Sequence, residues 1–275
     1  MTNIFNYIDR SSPIHRLTGA TKLLCLVLVS LASMITYDTR ILIALPIISF
    51  ILFAISKIKL KDVKFMLWFT VVFMVMNNVL VFLFSPEHGV DLYGTYHALC
   101  HLWGNKYLTI EQLWYHLNLI LKYLSSIPII LLFVCTTEPS EFASSLNKIG
   151  VKYTIAYSVS LALRYIPDVQ REYHEISLAQ QARGMEMSKK ESLSKRLKSA
   201  SQILIPLILS SLDKIDTITN AMELRGFGKN KKRTWYRSKT FTTFDIVAIV
   251  FSILILILVI TMNIVNGTRF WMPNF

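Results

Sequence analysis

The chain has 275 residues, of which 53% are hydrophobic and only 17% are charged, and its mean hydropathy is +0.46. A soluble globular domain usually carries roughly 25% charged residues, so this composition indicates a membrane protein with a sizeable polar part. The formal net charge is +12, and basic residues of membrane proteins concentrate in cytoplasmic segments, so nucleic-acid binding is not the first inference. The three cysteines form no CxxC pair, which argues against a disulfide framework or a zinc site.

Five segments are predicted to cross the membrane, because a spanning helix needs about 20 mostly apolar residues. They are residues 20–37, 40–57, 64–84, 117–137 and 244–265. The first is interpreted as a retained anchor rather than a signal peptide, since a second apolar run follows closely and no A-x-A cleavage site ends the first. Polar residues at membrane depth rarely face lipid, so Asn77 and Asn78 are predicted to contact another helix.

The basic residues predict the orientation of these spans. All but four of the 29 Lys and Arg residues lie in three regions, which are residues 1–22, 57–64 and 135–243. The positive-inside rule therefore predicts that these regions are cytoplasmic. Five spans then place the loop 85–116 and the C-terminus outside.

Residues 135–243 contain apolar runs that are too short or too charged to span. The run 153–167 contains Arg164 and ends at a proline, and the run 203–212 contains Pro206. Runs of this kind are more often interfacial or buried helices, so we expect amphipathic helices at the cytoplasmic face. Leu212, Ile215, Ile218 and Met222 have the 3–4 spacing of a packed helix face.

The predicted fold is an all-α integral membrane protein with about five transmembrane helices and a cytoplasmic coupling domain of long amphipathic helices. The expected domains are a membrane domain of four spans at residues 1–135, the coupling domain at 136–243, and a final transmembrane helix with an outer tail at 244–275.

Two stretches of the coupling domain share the pattern A-x-x-x-R-G, which are SLAQQARGMEM (177–187) and TNAMELRGFGK (219–229). A glycine after a helix accepts the left-handed conformation that commonly ends helices. An arginine in the last turn complements the helix dipole, and an alanine one turn earlier lets another surface approach. The guanidinium can then bind a carboxylate or backbone carbonyls. The corresponding residues are Ala179 and Ala221, Arg183 and Arg225, and Gly184 and Gly226.

These motifs resemble those of the transmembrane T component of energy-coupling factor (ECF) transporters, a family that also contains the cobalt-transport permease. The resemblance extends to HRLTGATKLL (15–24), TTEPSEFASSLNKIG (136–150) and LALRYIPDVQREYHEISLAQQARG (161–184). In that family, two Ala-Arg-Gly-like motifs at the ends of long coupling helices dock into grooves on two ABC-type ATPases. The second motif here, Leu224-Arg225-Gly226, has a leucine where the family often has alanine, as the first motif does at Ala182.

The resemblance implies a non-catalytic subunit of an importer in the bacterial plasma membrane. Two ABC-type ATPases would bind ATP and Mg, a separate membrane S component would capture a vitamin or metal ion, and this chain would couple the two. No cofactor is expected in the chain itself, which has no P-loop sequence. The expected ATPase-docking residues are Ala179, Ala182, Arg183, Gly184, Ala221, Leu224, Arg225 and Gly226.

Two further features, a basic cluster and a pair of histidines, are candidate sites for nucleic acid and for a metal ion. A basic cluster before the last span predicts contact with anionic lipid rather than nucleic acid; it comprises Lys229, Lys231, Lys232, Arg233 and Arg237. In the outer loop, His97 and His101 are four residues apart and would share one face of a helix as metal ligands. No supporting ligand pattern accompanies them, so no metal site is predicted.

A classical ABC permease and a self-sufficient secondary transporter are the alternative functions. A classical permease would present one coupling loop rather than two arginine-ended helices. A secondary transporter should carry charged or broken-helix sites at the membrane midplane, whereas Asn77 and Asn78 are the notable polar pair at that depth.

Overall fold

The computed structural model describes residues 10, 12–103, 106–185, 193–229, 234–235 and 239–271. The helices of this part are α1 (Pro13–Arg16), α2 (Gly19–Ile35), α3 (Thr39–Ile55), α4 (Leu60–Phe84), α5 (His88–Tyr93), α6 (Ile110–Thr136), α7 (Pro139–Lys148), α8 (Tyr153–Ala182), α9 (Leu193–Leu224) and α10 (Thr243–Val265). The strands are β1 (Tyr37–Asp38), β2 (Ala98–Trp103), β3 (Lys106–Thr109) and β4 (Phe270–Trp271). The predicted all-α membrane class is confirmed.

Each of the five predicted spans corresponds to one helix. By length and composition, α4, α6 and α10 are long and apolar enough to cross a membrane. Helices α2 and α3 are apolar but have 17 residues each. At about 1.5 Å per residue they extend roughly 26 Å, slightly less than the ~30 Å hydrocarbon core of a bilayer.

The chain divides into two compact units. The apolar unit contains Ile4–Glu138 and Lys239–Phe275, and the amphipathic unit contains Pro139–Ser238. The assignment of residues 1–135, 136–243 and 244–275 to separate functional parts stays a prediction.

In the apolar unit, one buried carboxylate joins the starts of α2 and α10. Asp245 accepts the backbone N–H of Thr18, the N-cap of α2, at 2.8 Å. Its second oxygen accepts the N–H and hydroxyl of Thr242, the N-cap of α10, at 2.8 and 2.7 Å. Helix N-termini leave amides unpaired and attract negative charge, so this fully buried carboxylate stabilises both.

The end of α6 lies beside the start of α2. The ammonium of Lys22, which is only 4% exposed, donates to the carbonyl of Thr136 at 2.7 Å. A cation at the carbonyl end of a helix complements the helix dipole. The start of α4 is tied to the segment before α1 by an ion pair between Arg10 and Asp62 at 3.7 Å.

A second set of contacts joins the opposite ends of these helices. Thr39, the first residue of α3, donates to the side chain of Asn118 on α6 at 2.8 Å. Tyr37 in β1 pairs in parallel with Phe270 in β4, directly after α10. Burial opposes ionisation of Asp38, but hydrogen bonds from Arg40 and Asn266 outweigh burial and lower the pKa of this carboxyl. The end of α2, the starts of α3 and α6, and the end of α10 therefore lie together.

Helix α4 runs antiparallel to α6. The side chain of Gln112, near the start of α6, donates to the carbonyl of Ser85, which follows α4, at 3.2 Å. The same side chain accepts the N–H of Gly89 in α5 at 2.8 Å. A Cβ on Gly89 would lie 2.6 Å from the backbone of Glu111, so only glycine allows this approach. The five helices α2, α3, α4, α6 and α10 thus alternate in direction, as five successive membrane crossings require.

The structure corrects the expectation for the outer histidines. His97 precedes β2 and His101 lies in it, so the two residues do not share a helix face. Instead, His97 Nδ1 lies 2.7 Å from Glu111 Oε1. Within the described residues, no three His, Cys, Asp or Glu side chains are grouped to hold a metal ion. Sequence reasoning missed the hairpin of β2 and β3.

The role of Asp245 predicts the effect of removing it. Asp245→Ala removes the carboxylate that accepts hydrogen bonds at the starts of two helices, each worth about 1 kcal/mol, and leaves the buried N–H of Thr18 unpaired. We expect the free energy of unfolding to fall by about 2–3 kcal/mol, measured by thermal unfolding in detergent. The exposed neighbour provides the control, since Thr243→Ala should leave stability nearly unchanged. Equal effects of the two substitutions would contradict the conclusion that Asp245 stabilises the starts of both α2 and α10.

Candidate functional site

Helices α8 and α9 of the amphipathic unit pack antiparallel. Near the end of α8, the side chain of Gln180 donates to the carbonyl of Gln202 in the first part of α9 at 3.4 Å. At the other end of the pair, the ring of Tyr157 lies 4.7 Å from that of Phe227, just after α9. Both helices continue through an internal proline.

Midway along the pair, polar groups fix the register of the two helices. Glu172 of α8 accepts hydrogen bonds from Ser210 and from the ammonium of Lys214, the latter at 2.6 Å. The hydrogen bonds from Lys214 and Ser210 lower the pKa of Glu172. This carboxylate is therefore ionised at neutral pH and links α8 to α9 midway along the pair.

The antiparallel packing separates the two arginine ends. Residues 157–183 of α8 extend roughly 40 Å at about 1.5 Å per residue. Because Tyr157 contacts Phe227, Arg225 lies near the start of α8, while Arg183 lies at its end. The two arginines are thus at opposite ends of one helix pair.

The first arginine end is a Schellman motif, a common way to end a helix. Gly184 has φ +86°, as predicted from its position after the helix. Its N–H donates to the carbonyl of Gln181 at 3.0 Å, and the N–H of Met185 donates to that of Gln180 at 3.1 Å. These are the two hydrogen bonds that define the motif. The N–H of Arg183 donates to the carbonyl of Ala179 at 3.2 Å.

The second arginine end repeats this geometry. Gly226 has φ +65°, and its N–H donates to the carbonyl of Glu223 at 2.9 Å. The N–H of Phe227 donates to the carbonyl of Met222 at 3.0 Å, and that of Arg225 to the carbonyl of Ala221 at 3.3 Å. The repeated sequence pattern therefore encodes one backbone structure twice, and its alanine is the acceptor that closes the last turn.

Most of the predicted docking residues are exposed. Ala179, Ala182, Arg183, Gly184, Ala221, Leu224 and Arg225 are exposed, and Gly226 is half-buried. Leu224 is 91% exposed, an unusual state for a large apolar side chain. An exposed arginine beside small or apolar residues suits contact with another protein, since arginine and apolar anchors are enriched at interfaces.

Sequence reasoning missed four aromatic residues beside the second end, which are Tyr153, Tyr157, Phe227 and Trp235. The available signal was local: two tyrosines four residues apart share a helix face. In the predicted basic cluster, Lys229 is exposed, while residues 231–233 and 237 lie outside the described residues. Leu212 and Ile215, predicted to be packed, are 52% and 54% exposed.

The left-handed glycines predict a difference between two substitutions. Alanine is strained at this φ by roughly 1–2 kcal/mol, whereas asparagine tolerates it. A Cβ at Gly184 would meet nothing within 4 Å, so crowding cannot explain an effect there. We expect Gly184→Ala and Gly226→Ala to accelerate hydrogen exchange of the Met185 and Phe227 amides roughly tenfold, and the asparagine variants to do so less. If the alanine and asparagine variants exchanged these amides at equal rates, the assignment of a left-handed glycine at each helix end would be contradicted.

Comparison with known proteins assigns the family. The model of the cobalt transport protein family, CbiQ, matches residues 10–236, which include both arginine ends. The chain is 28% identical to the energy-coupling factor transporter transmembrane protein EcfT of Lactococcus lactis subsp. cremoris, over 92% of this chain and 95% of that protein.

Proteins of the same name from two other bacteria are similarly related. Identity is 28% to that of Brevibacillus brevis, over 93% of this chain and 96% of that protein. It is 29% to that of Bacillus selenitireducens, over 85% of this chain and 87% of that protein. Since the family match covers most of the chain, the protein belongs to the CbiQ family and is a transmembrane component of the energy-coupling factor type.

Proposed function

We propose that this chain is the scaffold that couples ATP hydrolysis by two ABC-type ATPases to movement of a substrate-binding S component, for uptake of a vitamin or metal ion. The observation that carries the proposal is the pair of matching arginine ends, roughly 40 Å apart on one helix pair. Two docking ends with the same backbone hydrogen bonds fit two similar partners. A classical permease with one coupling loop would not need the second.

Each arginine end has the chemistry for docking. The glycine closes the last turn and so fixes the backbone from which the arginine side chain projects, and the guanidinium can bind a carboxylate or backbone carbonyls on an ATPase. In the first motif, Ala179 and Ala182 leave room for close approach, and in the second the exposed Leu224 adds an apolar contact. ATP and Mg would be bound by the ATPases, and this chain would be non-catalytic.

The packing of α8 on α9 supports transmission of motion. When the two ATPases approach or separate, they would exert force on the two ends of the helix pair. The Glu172–Lys214 ion pair and the Tyr157–Phe227 contact hold the two helices together. Packed helices transmit displacement because interfaces move between discrete arrangements rather than deform continuously.

An exposed apolar face of α9 is the surface offered to the S component. Its residues follow 3–4 spacing and are each more than half exposed, and they are Ile205, Ile208, Leu209, Leu212 and Ile215. A contiguous apolar surface of this kind marks contact with a protein or a membrane. The S component is itself a membrane protein, so its apolar surface matches this face.

The proposed orientation follows the charge distribution. In a bacterial plasma membrane, the N-terminus and the amphipathic unit would face the cytoplasm, and the C-terminus would be outside. The basic segment 229–237 would contact anionic lipid.

Substitution of either arginine tests the docking role. We expect Arg183→Ala and Arg225→Ala each to weaken ATPase binding by at least roughly 30-fold, since an interfacial charge and its partner are left unpaired. Arginine-to-lysine variants should bind at intermediate strength, because lysine lacks the planar fork. The measurement is the affinity of the purified chain in nanodiscs for the two ATPases.

An arginine within α8 provides the matched control. Arg171 is 63% exposed and pairs with Asp168, so Arg171→Ala should leave affinity within about twofold. If both arginine-end variants kept the complex intact and transport unchanged, the proposed docking role would fail.

A native cysteine tests the orientation. Cys100 is exposed in β2, whereas Cys135 is buried and Cys25 half-buried. We expect a membrane-impermeant maleimide to label Cys100 in intact spheroplasts. In a Cys100→Ser background, Thr219→Cys on exposed α9 should be labelled only after permeabilisation. The reverse pattern would invert the proposed topology.

A further inference from the structure

Four aromatic side chains meet directly behind the second arginine end. The ring of Phe227, two residues after Arg225, lies 4.7 Å from Tyr157 and 6.0 Å from Tyr153. The ring of Trp235 lies 5.3 Å from Tyr153 and 6.4 Å from Tyr157. The tilted geometries and centroid separations are those of attractive aromatic pairs. We define Tyr153, Tyr157, Phe227 and Trp235 as the aromatic brace.

Hydrogen bonds connect the aromatic brace to the turn before α8. The indole N–H of Trp235 donates to the side-chain oxygen of Asn147 at 3.1 Å. The amide of Asn147 donates in turn to the carbonyl of Val151 at 2.9 Å. The end of α7, the start of α8 and the chain after α9 therefore meet at one place.

Phe227 belongs to the helix end itself. Its N–H forms the long hydrogen bond of the Schellman motif, to Met222. The same residue therefore closes the last turn with its backbone and packs on α8 with its ring. Movement of that ring would move the last turn, and with it the direction of Arg225.

The first arginine end has a different residue at the equivalent position. Met185 makes the same backbone hydrogen bond there, to Gln180, but a thioether chain supplies no ring for aromatic packing. The nearby hydrogen bond between Gln180 and Gln202 is long, at 3.4 Å, and exposed. The two ends share a backbone structure but differ in how their side chains are held.

We propose that Phe227 is a positioning residue for Arg225: the aromatic brace fixes the second docking end to the start of α8, whereas the described part of the first end, up to Met185, has no such brace. This inference rests on the proposed docking function. It makes the second end and the start of α8 one rigid piece, so displacement of an ATPase at Arg225 is passed directly to α8.

The test compares equivalent positions at the two ends. Phe227→Ala should weaken binding of the chain in nanodiscs to the two ATPases roughly tenfold, the scale of one lost aromatic contact. Met185→Ala should change it less than about twofold, because a methionine side chain supplies no ring for an aromatic pair. Phe227→Tyr keeps the ring and should restore affinity.

A double-mutant cycle separates positioning from a general loss of structure. If Phe227 acts only through Arg225, Phe227→Ala adds less than about twofold in an Arg225→Ala background. In an Arg183→Ala background, Phe227→Ala should weaken ATPase binding by the same factor as it does in the unmodified chain. Equal effects in both backgrounds would overturn the positioning role.

A second variant leaves the sequence of the second arginine end intact. Tyr157→Leu removes the ring opposite Phe227 and should reproduce the loss caused by Phe227→Ala. In both variants, hydrogen exchange should accelerate at residues 225–229 but stay unchanged around Glu172 and Lys214. Unchanged affinity in Tyr157→Leu, or exchange that accelerates along the whole of α9, would refute the proposal.

The arginine variants distinguish the two levels of failure. If Arg183→Ala and Arg225→Ala both bind the ATPases normally, the proposed function fails whatever Phe227 does. If they lose binding and Phe227→Ala does not, docking stands and the brace has no role in it.

Discussion

Antiparallel packing of α8 on α9 is the constraint on which the two arginine ends depend. The pair is held by Gln180 with Gln202 at one end, by Glu172 with Lys214 in the middle, and by the aromatic brace at the other. Parallel helices would bring both carboxyl ends together. Because these two are antiparallel, the same short motif is presented at two distant places, and one helix pair can contact two partners.

The apolar unit uses polar contacts to fix helices whose surfaces are otherwise nearly uniform. Asp245 joins the starts of α2 and α10, and Lys22 joins α2 to the end of α6. Apolar side chains pack in many registers, but a buried charge with unsatisfied partners costs several kcal/mol, so such contacts select one arrangement. The alternating direction of the five helices follows from where these groups lie.

The sequence predicted what depends on local pattern. The lengths of the apolar runs predicted the positions of five helices. The glycine after each A-x-x-x-R run predicted the left-handed φ of Gly184 and Gly226. Contacts between distant segments could not be read in this way. Phe227 and Tyr157 are 70 residues apart, and nothing in either segment indicates their pairing. The hairpin of β2 and β3 was missed because the pairing of two short strands depends on contacts across the turn, in a segment predicted only as an outer loop.

The separation of the two arginine ends is the most direct test of the two-partner arrangement. Spin labels would be attached to cysteines introduced at the exposed residues 181 and 223 in a Cys100→Ser background. Pulsed electron–electron double resonance in nanodiscs would then measure the distance between the two labels. Because Phe227 lies against Tyr157, residue 223 lies opposite about residue 161 of α8, roughly 20 residues from residue 181. Antiparallel packing therefore predicts one population of distances centred on roughly 30 Å, at about 1.5 Å per residue. A dominant distance below about 20 Å would mean that the helix ends lie together, and would contradict the two-partner arrangement.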